Sequence, residues 1–157
     1  YFKRYPIGFK KFLPSCDTSD LQNCNAEQIK NTYDNTILYT DFILSSVIDI
    51  LKKHQNLASS MFYVSDHGES LGENNIYLHG LPYAVAPNEQ KQIPMILWLS
   101  DNLQKDLNIN PRCLTSEGNT LEYSHDNLYH SILRLLSINT TTYNSTLDIF
   151  TNCIIKQ

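Results

Sequence analysis

Two short runs of apolar and β-forming residues, Met61–Ser65 and Ile93–Leu99, constrain the fold most strongly. Uninterrupted runs of this length are typical of strands buried on both faces of a sheet, and Pro94 is tolerated because it lies near the start of its run. A long helical pattern precedes the first run and a shorter one follows the second. This order predicts an α/β domain, a layered sheet with helices on both faces.

The two helices have recognisable starts and apolar faces. Asn25 is an N-cap residue with Gln28 three positions later, the spacing of a capping box, and Ser124 is an N-cap for the last helix. The apolar stripe of the first helix comprises Ile29, Tyr33, Ile37, Leu44, Val47 and Leu51. The predicted apolar face of the last helix comprises Leu128, Ile132, Leu135 and Leu136.

Composition excludes some classes of protein. The net charge of −4 argues against nucleic-acid binding, which needs clustered cations, and no stretch approaches the ~20 apolar residues that cross a bilayer. The only basic cluster lies in the first eleven residues, where it is either a solvated face or a contact for anionic lipid headgroups. The basic cluster comprises Lys3, Arg4, Lys10 and Lys11.

The chain opens on Tyr1 rather than Met, which indicates a segment of a longer protein.

The four cysteines do not have the spacing of a zinc finger or of a CxxC motif. Cys16 and Cys24 flank a polar loop, which favours a short disulfide and therefore an oxidising compartment. The alternative is that all four cysteines are reduced thiols, and pairing of Cys113 with Cys153 stays open.

A polar turn, Asp66-His67-Gly68, follows the first apolar run. Functional residues in open α/β sheets commonly lie where a strand ends. A sharp turn lets adjacent side chains share a metal, Gly68 can adopt the backbone angles of such a turn, and carboxylate with imidazole suits zinc. Taken alone, the pair is equally consistent with an ordinary turn capped by Asp66.

The turn is part of a longer motif, Ser65-Asp-His-Gly-Glu-Ser-Leu-Gly-Glu-Asn. Three further motifs occur elsewhere in the chain: Tyr77-Leu-His-Gly, Tyr1-Phe-Lys-Arg-Tyr-Pro and Ser124-His-Asp-Asn-Leu. On these motifs the chain resembles the phosphoethanolamine transferases of the alkaline phosphatase/sulfatase superfamily. These enzymes modify lipid A and include the mobile colistin-resistance enzymes. The resemblance covers nearly the whole chain and fades after about Leu136.

The resemblance implies roles for individual residues. Asp66 and His67 are expected to be ligands of a catalytic zinc ion, and His79 a catalytic residue near the phosphoryl group or a second zinc ion. Glu69 is a candidate for the auxiliary network around the metal. The nucleophilic threonine and a further glutamate ligand are expected outside this sequence, so that this chain alone is expected to be inactive.

The resemblance further implies transfer of phosphoethanolamine from phosphatidylethanolamine to lipid A, which gives polymyxin and colistin resistance. Residues 1–157 are expected to be the C-terminal portion of a single periplasmic catalytic domain, held at the inner membrane by a segment absent here. Two alternatives stay open: another hydrolase of the superfamily, either a sulfatase or a phosphodiesterase, and a non-catalytic extracellular domain stapled by disulfides.

Overall fold

The structure, a computed structural model, describes residues 1–118 and 120–155. Helices and strands alternate irregularly along the chain and are joined by short 3-10 turns. In chain order the elements are α1 (Ala26–Lys52), β1 (Ser60–Val64), β2 (Ser70–Leu71), β3 (Tyr77–Leu78), α2 (Asn88–Lys91), β4 (Met95–Leu99), α3 (Asp101–Asp106), α4 (Pro111–Gly118) and α5 (Asp126–Leu135). Within the described residues, none of the helices is long and apolar enough to span a bilayer.

The chain divides into two compact units. The first consists of Tyr1–Lys53 and Met61–Trp98, and it contains α1, the β2–β3 hairpin and every residue of the predicted site. The second consists of His54–Ser60 and Leu99–Gln157, and it contains α3, α4 and α5.

The start of α1 confirms the predicted capping box. The Asn25 side chain accepts a hydrogen bond from the Gln28 N–H at 2.9 Å, and the Gln28 side chain accepts one from the Asn25 N–H at 2.9 Å. Two of the N–H groups that a helix start leaves without partners are therefore satisfied.

The buried face of α1 is more polar than its apolar stripe predicts. The buried residues are Ile29, Thr32 and Asn35, whereas Ile37 and Val47 of the stripe are exposed. Asn35 accepts hydrogen bonds from the backbone of the preceding loop and donates one back, so its amide is satisfied inside the fold. The helix therefore holds the N-terminal loop by polar contacts.

The two predicted strands exist, but they are not buried along their length. β1 pairs with β4, and only Met61 and Leu99 of the two strands are buried. Within the described residues the two strands are therefore half-buried rather than buried on both faces. Burial on both faces needs further strands and covering helices, and this sheet has two strands.

The last helix of the second unit also departs from prediction. Its buried residues are Ser131 and Leu133, whereas Ile132 and Leu136 of the expected face are exposed. The Ser131 hydroxyl is satisfied, since it donates to the Asn127 carbonyl at 2.6 Å and accepts from the Ile149 N–H at 3.2 Å. A small hydroxyl residue therefore occupies the most enclosed position of α5.

All four cysteines form disulfides. Cys16 is bonded to Cys24, which confirms the expected pair, and Cys113 is bonded to Cys153, which settles the pairing left open by the sequence. The second bond joins α4 to the last 3-10 turn of the second unit. The cysteine pattern is that of a protein folded in an oxidising compartment.

Candidate metal site

The turn after β1 is fixed by contacts with the segment around α2. The Ser65 N–H donates to the Pro94 carbonyl at 3.3 Å, and the Gly68 N–H donates to the Gln90 carbonyl at 3.0 Å. The Ser65 hydroxyl donates to the His67 carbonyl at 2.8 Å. The backbone of the turn is thus held at both ends, and the intervening side chains of Asp66 and His67 point outward, 88% and 41% exposed.

Asp66 and His67 place two potential metal-binding atoms side by side. The Asp66 Oδ2 lies 3.7 Å from the His67 Nε2, close to the ~3.4 Å separation of two ligands at about 2.1 Å from one tetrahedral zinc ion. The His67 Nδ1 lies 2.8 Å from the Gly68 carbonyl, so it carries the proton and leaves Nε2 as the free donor atom. Metal-binding histidines are commonly oriented by such a hydrogen bond.

The third predicted site residue, His79, lies beside His67. The two imidazole rings are 3.8 Å apart between centroids, and the His79 Nδ1 is 3.1 Å from the Glu69 Oε2. The Glu69 side chain is 8% exposed and that of His79 is 46% exposed. A buried carboxylate therefore holds a half-exposed imidazole in place.

The β2–β3 hairpin brings Glu69 and His79 together. Ser70 pairs with Leu78, which places the preceding Glu69 opposite the following His79. Gln90 supports the hairpin from α2, because its amide donates to the Ser70 hydroxyl at 3.0 Å and to the Leu78 carbonyl at 3.1 Å. Two-residue strands leave no periodic pattern in the sequence that would reveal this contact.

Two tyrosines line the buried side of Glu69. Burial, and then the negative charge of Glu69, raises the pKa of the Tyr1 phenol far above its ordinary value. The same two causes, in the same order, raise the pKa of the Tyr33 phenol. The surroundings of the Glu69 carboxylate are therefore protein rather than solvent.

The donor atoms of His67, Glu69 and His79 all lie within 4.8 Å of one another. This set offers one carboxylate and two imidazoles, and the Asp66 carboxylate lies outside the set but 3.7 Å from the His67 Nε2; mixed oxygen and nitrogen ligands suit zinc. The described residues contain one other such set, Cys113 with Glu117 and Cys153, but its thiols are consumed by a disulfide. The residues present therefore fit zinc at the turn after β1.

Comparisons with known proteins find related sequences. The Sulfatase family model matches residues 1–138. The chain is 51% identical over 154 residues to the phosphoethanolamine transferase EptA of Salmonella typhimurium, covering 98% of this chain and 28% of that protein. It is 41% identical over 139 residues to the phosphatidylethanolamine transferase Mcr-2 of Escherichia coli, covering 88% of this chain and 24% of that protein.

A solved structure also matches closely. The soluble domain of the lipooligosaccharide phosphoethanolamine transferase A of Neisseria meningitidis superposes with a TM-score of 0.95 at 42% identity, over 99% of this chain and 47% of that one. The fold and site thus define a sulfatase-type α/β domain, and the chain belongs to the Sulfatase family. It spans about a quarter of the length of the curated relatives it matches.

Proposed function

We propose that the complete protein is a zinc-dependent transferase that moves phosphoethanolamine from phosphatidylethanolamine to lipid A. We place it at the periplasmic face of the bacterial inner membrane, where this modification gives resistance to polymyxin and colistin. The observation that carries the proposal is the Asp66–His67 pair, arranged for a metal beside the Glu69–His79 pair. The identity of 51% to a phosphoethanolamine transferase supports the choice of reaction.

In this proposal Asp66 and His67 hold the zinc ion through a carboxylate oxygen and Nε2. Bound zinc offsets phosphoryl charge and lowers the pKa of a hydroxyl nucleophile. The hydrogen bond from His67 to the Gly68 carbonyl keeps the imidazole in the tautomer and orientation that binding needs. On the family resemblance we assign the threonine nucleophile to the part of the protein outside these residues, so we expect transfer from the complete protein and not from this chain alone.

His79 has the position of a proton-transfer residue. Its Nδ1 is engaged by Glu69, which leaves Nε2 as the atom available to substrate. From there an imidazole can donate a proton to the leaving glycerol oxygen or accept one from the acceptor hydroxyl. Glu69 is a positioning residue, because it acts by orienting His79.

The test is phosphoethanolamine transfer by the complete protein in bacteria that lack their own transferases, measured by mass spectrometry of extracted lipid A. The unmodified protein should add phosphoethanolamine. His79→Ala should lower the rate about 10²–10⁴-fold, because a proton-transfer group is lost, while bound zinc is retained. His54→Ala is the control, since that exposed histidine lies at the end of α1 and in the other unit.

Unmodified lipid A in cells that make the folded, zinc-loaded protein would rule out this transferase activity. Equal loss of transfer in His79→Ala and His54→Ala would remove His79 from the reaction. Loss of zinc in His79→Ala would instead make His79 a metal ligand.

A further inference from the structure

A turn that follows His79 exposes a group of apolar side chains. Leu81, Tyr83 and Val85 are all exposed, Tyr83 to 81% and Val85 to 67%. We call residues 81–85 the apolar turn. Apolar side chains grouped on a surface in this way are typical of a contact site for a protein, a ligand or a membrane.

The backbone of the apolar turn is fixed in place. The N–H groups of Val85 and Ala86 both donate to the Pro82 carbonyl at 2.9 Å, and Ala86 is buried. The Gln90 side chain accepts from the Leu81 N–H at 3.4 Å while its amide group holds β3. A preformed backbone therefore presents the exposed side chains, so that little order has to be gained on contact.

The apolar turn lies in an uncharged stretch of the chain, since residues 74–88 contain no Asp, Glu, Lys or Arg. The nearest charged residues along the chain are Glu73 on one side and Glu89 with Lys91 on the other. This balance gives the surface no excess of positive charge, so its apolar side chains decide what it can bind.

Lys91 lies beside the aromatic ring of the apolar turn. Its Nζ is 5.1 Å from the centre of the Tyr83 ring. Tyrosine and lysine are both typical of the interface between a membrane and water, where the ring enters the headgroup region and the ammonium stays among the phosphates. The pair therefore matches the two layers of a bilayer surface.

The position of the apolar turn next to His79 decides between the possible occupants. Under the proposed transferase function, on which this inference rests, His79 meets phosphatidylethanolamine and lipid A. Acyl chains hold both of these lipids in a membrane. The residues that follow His79 therefore belong to the side of the complete protein that faces a bilayer.

We propose that the apolar turn inserts into the surface of a phospholipid bilayer, with Tyr83 and Val85 at the boundary between headgroups and acyl chains. Insertion would bring His79 to the level of the headgroups, so that lipid substrates react without leaving the membrane. Because the turn carries no charge of its own, uncharged phospholipid suffices for this contact.

The test places a fluorescent reporter on the apolar turn through Tyr83→Trp in the complete protein. The protein is reconstituted into nanodiscs of phosphatidylethanolamine and phosphatidylcholine, with or without bromine on the acyl chains of the phosphatidylcholine. The emission from position 83 is the difference from the unmodified protein. It should fall at least about twofold with brominated lipid, because interfacial groups reach about 5–10 Å into the boundary of headgroups and acyl chains.

The matched control is Tyr129→Trp, which puts the same reporter at another exposed tyrosine, in the second unit. Its emission should be the same with brominated and ordinary lipid. Both reporters are also measured at several protein-to-lipid ratios.

A second experiment removes the apolar contacts with Tyr83→Ser/Val85→Ser. This variant should lower kcat/KM about tenfold for phosphatidylethanolamine in nanodiscs, through KM, because burial of two apolar side chains is lost. For a short-chain phosphatidylethanolamine dissolved below its micelle concentration, kcat/KM should be unchanged. Tyr129→Ser/Leu136→Ser removes exposed side chains of the same kinds from the second unit and should change neither value.

Unquenched emission from position 83 would overturn the proposal, and a blue shift without quenching would assign the turn to a contact with another part of the protein. A blue shift that grows with protein density would assign it to a second copy and would overturn the proposal as well. Equal quenching at positions 83 and 129 would contradict a specific contact. Quenching confined to position 83 in a protein that transfers nothing would contradict the enzyme activity and leave the membrane contact standing.

Discussion

Gly68 packs against the backbone at α2, and its N–H donates to the Gln90 carbonyl at 3.0 Å. A Cβ atom built at this position would overlap the Glu89 carbonyl. Its φ is not positive, so a left-handed backbone conformation is not what requires glycine at this position. Glycine is needed because two backbone segments approach closely, a long-range contact that the local sequence does not reveal.

Gly68→Ala in the complete protein should therefore lower the free energy of unfolding by about 1–3 kcal/mol, because the turn must move away from α2. The same movement shifts His67 and should reduce bound zinc. Denaturant unfolding and metal analysis measure the two effects. Gly8→Ala is the control, since nothing lies within 4 Å of an added Cβ there, and it should be neutral within about 0.5 kcal/mol. Equal stability of both variants would contradict the packing described for Gly68.

Glu69 and His79 show how far single residues could be interpreted from sequence. Family resemblance singled out His79, and the structure places it against His67. The partnership with Glu69 depends on the register of a hairpin whose strands are two residues long. Such short strands have no alternation to detect, so the sequence predicted only a loop there.

Among the elements, α1 organises the first unit through polar contacts. Asn35 is fully buried, and its Oδ1 accepts from the N–H groups of Lys11 at 2.7 Å and Phe12 at 2.9 Å, while its Nδ2 donates to the Phe12 carbonyl at 3.0 Å. The aromatic ring of Phe9 packs on Tyr39 in the next turn of the same helix. The N-terminal loop is therefore held along α1 by these contacts.

Asn35→Ala should lower the free energy of unfolding by about 2–3 kcal/mol, because it leaves buried backbone groups without partners. Asn31→Ala is the matched control on the same helix. Its side chain makes one exposed hydrogen bond, to the Pro14 carbonyl at 2.9 Å, so the loss should stay below about 1 kcal/mol. Chemical denaturation of the complete protein measures both, and a larger loss for Asn31→Ala would show that Asn35 does not anchor the loop.

Local signals predicted the start of α1 well, because a capping box depends on residues three positions apart. The same kind of reasoning failed for burial along α1 and α5. Thr32, Asn35 and Ser131 occupy enclosed positions because partners far along the chain satisfy them. The periodicity of apolar residues predicts which side chains are buried by their hydrophobicity. It does not predict which polar side chains are buried because hydrogen bonds to distant residues satisfy them.

At the scale of the whole molecule, the α/β class and the family were predictable from the sequence. The strands β1 and β4 have the composition of central strands, and within the described residues they are half-exposed because the sheet has two strands there. Several large apolar side chains of α1 are also exposed, among them Phe42 and Ile50. The chain covers 28% of its Salmonella relative, so the proposals concern the complete protein.

The central claim is that Asp66 and His67 bind the zinc ion on which phosphoethanolamine transfer depends. The most direct measurement is the zinc content of the purified complete protein, by mass spectrometry of the metal, beside its Asp66→Ala, His67→Ala and His54→Ala variants. The proposal predicts that the unmodified protein and His54→Ala contain equal zinc, that the two site variants lose at least one equivalent, and that transfer disappears with it. Unchanged zinc in Asp66→Ala and His67→Ala, or full transfer after chelation has removed the metal, would contradict it.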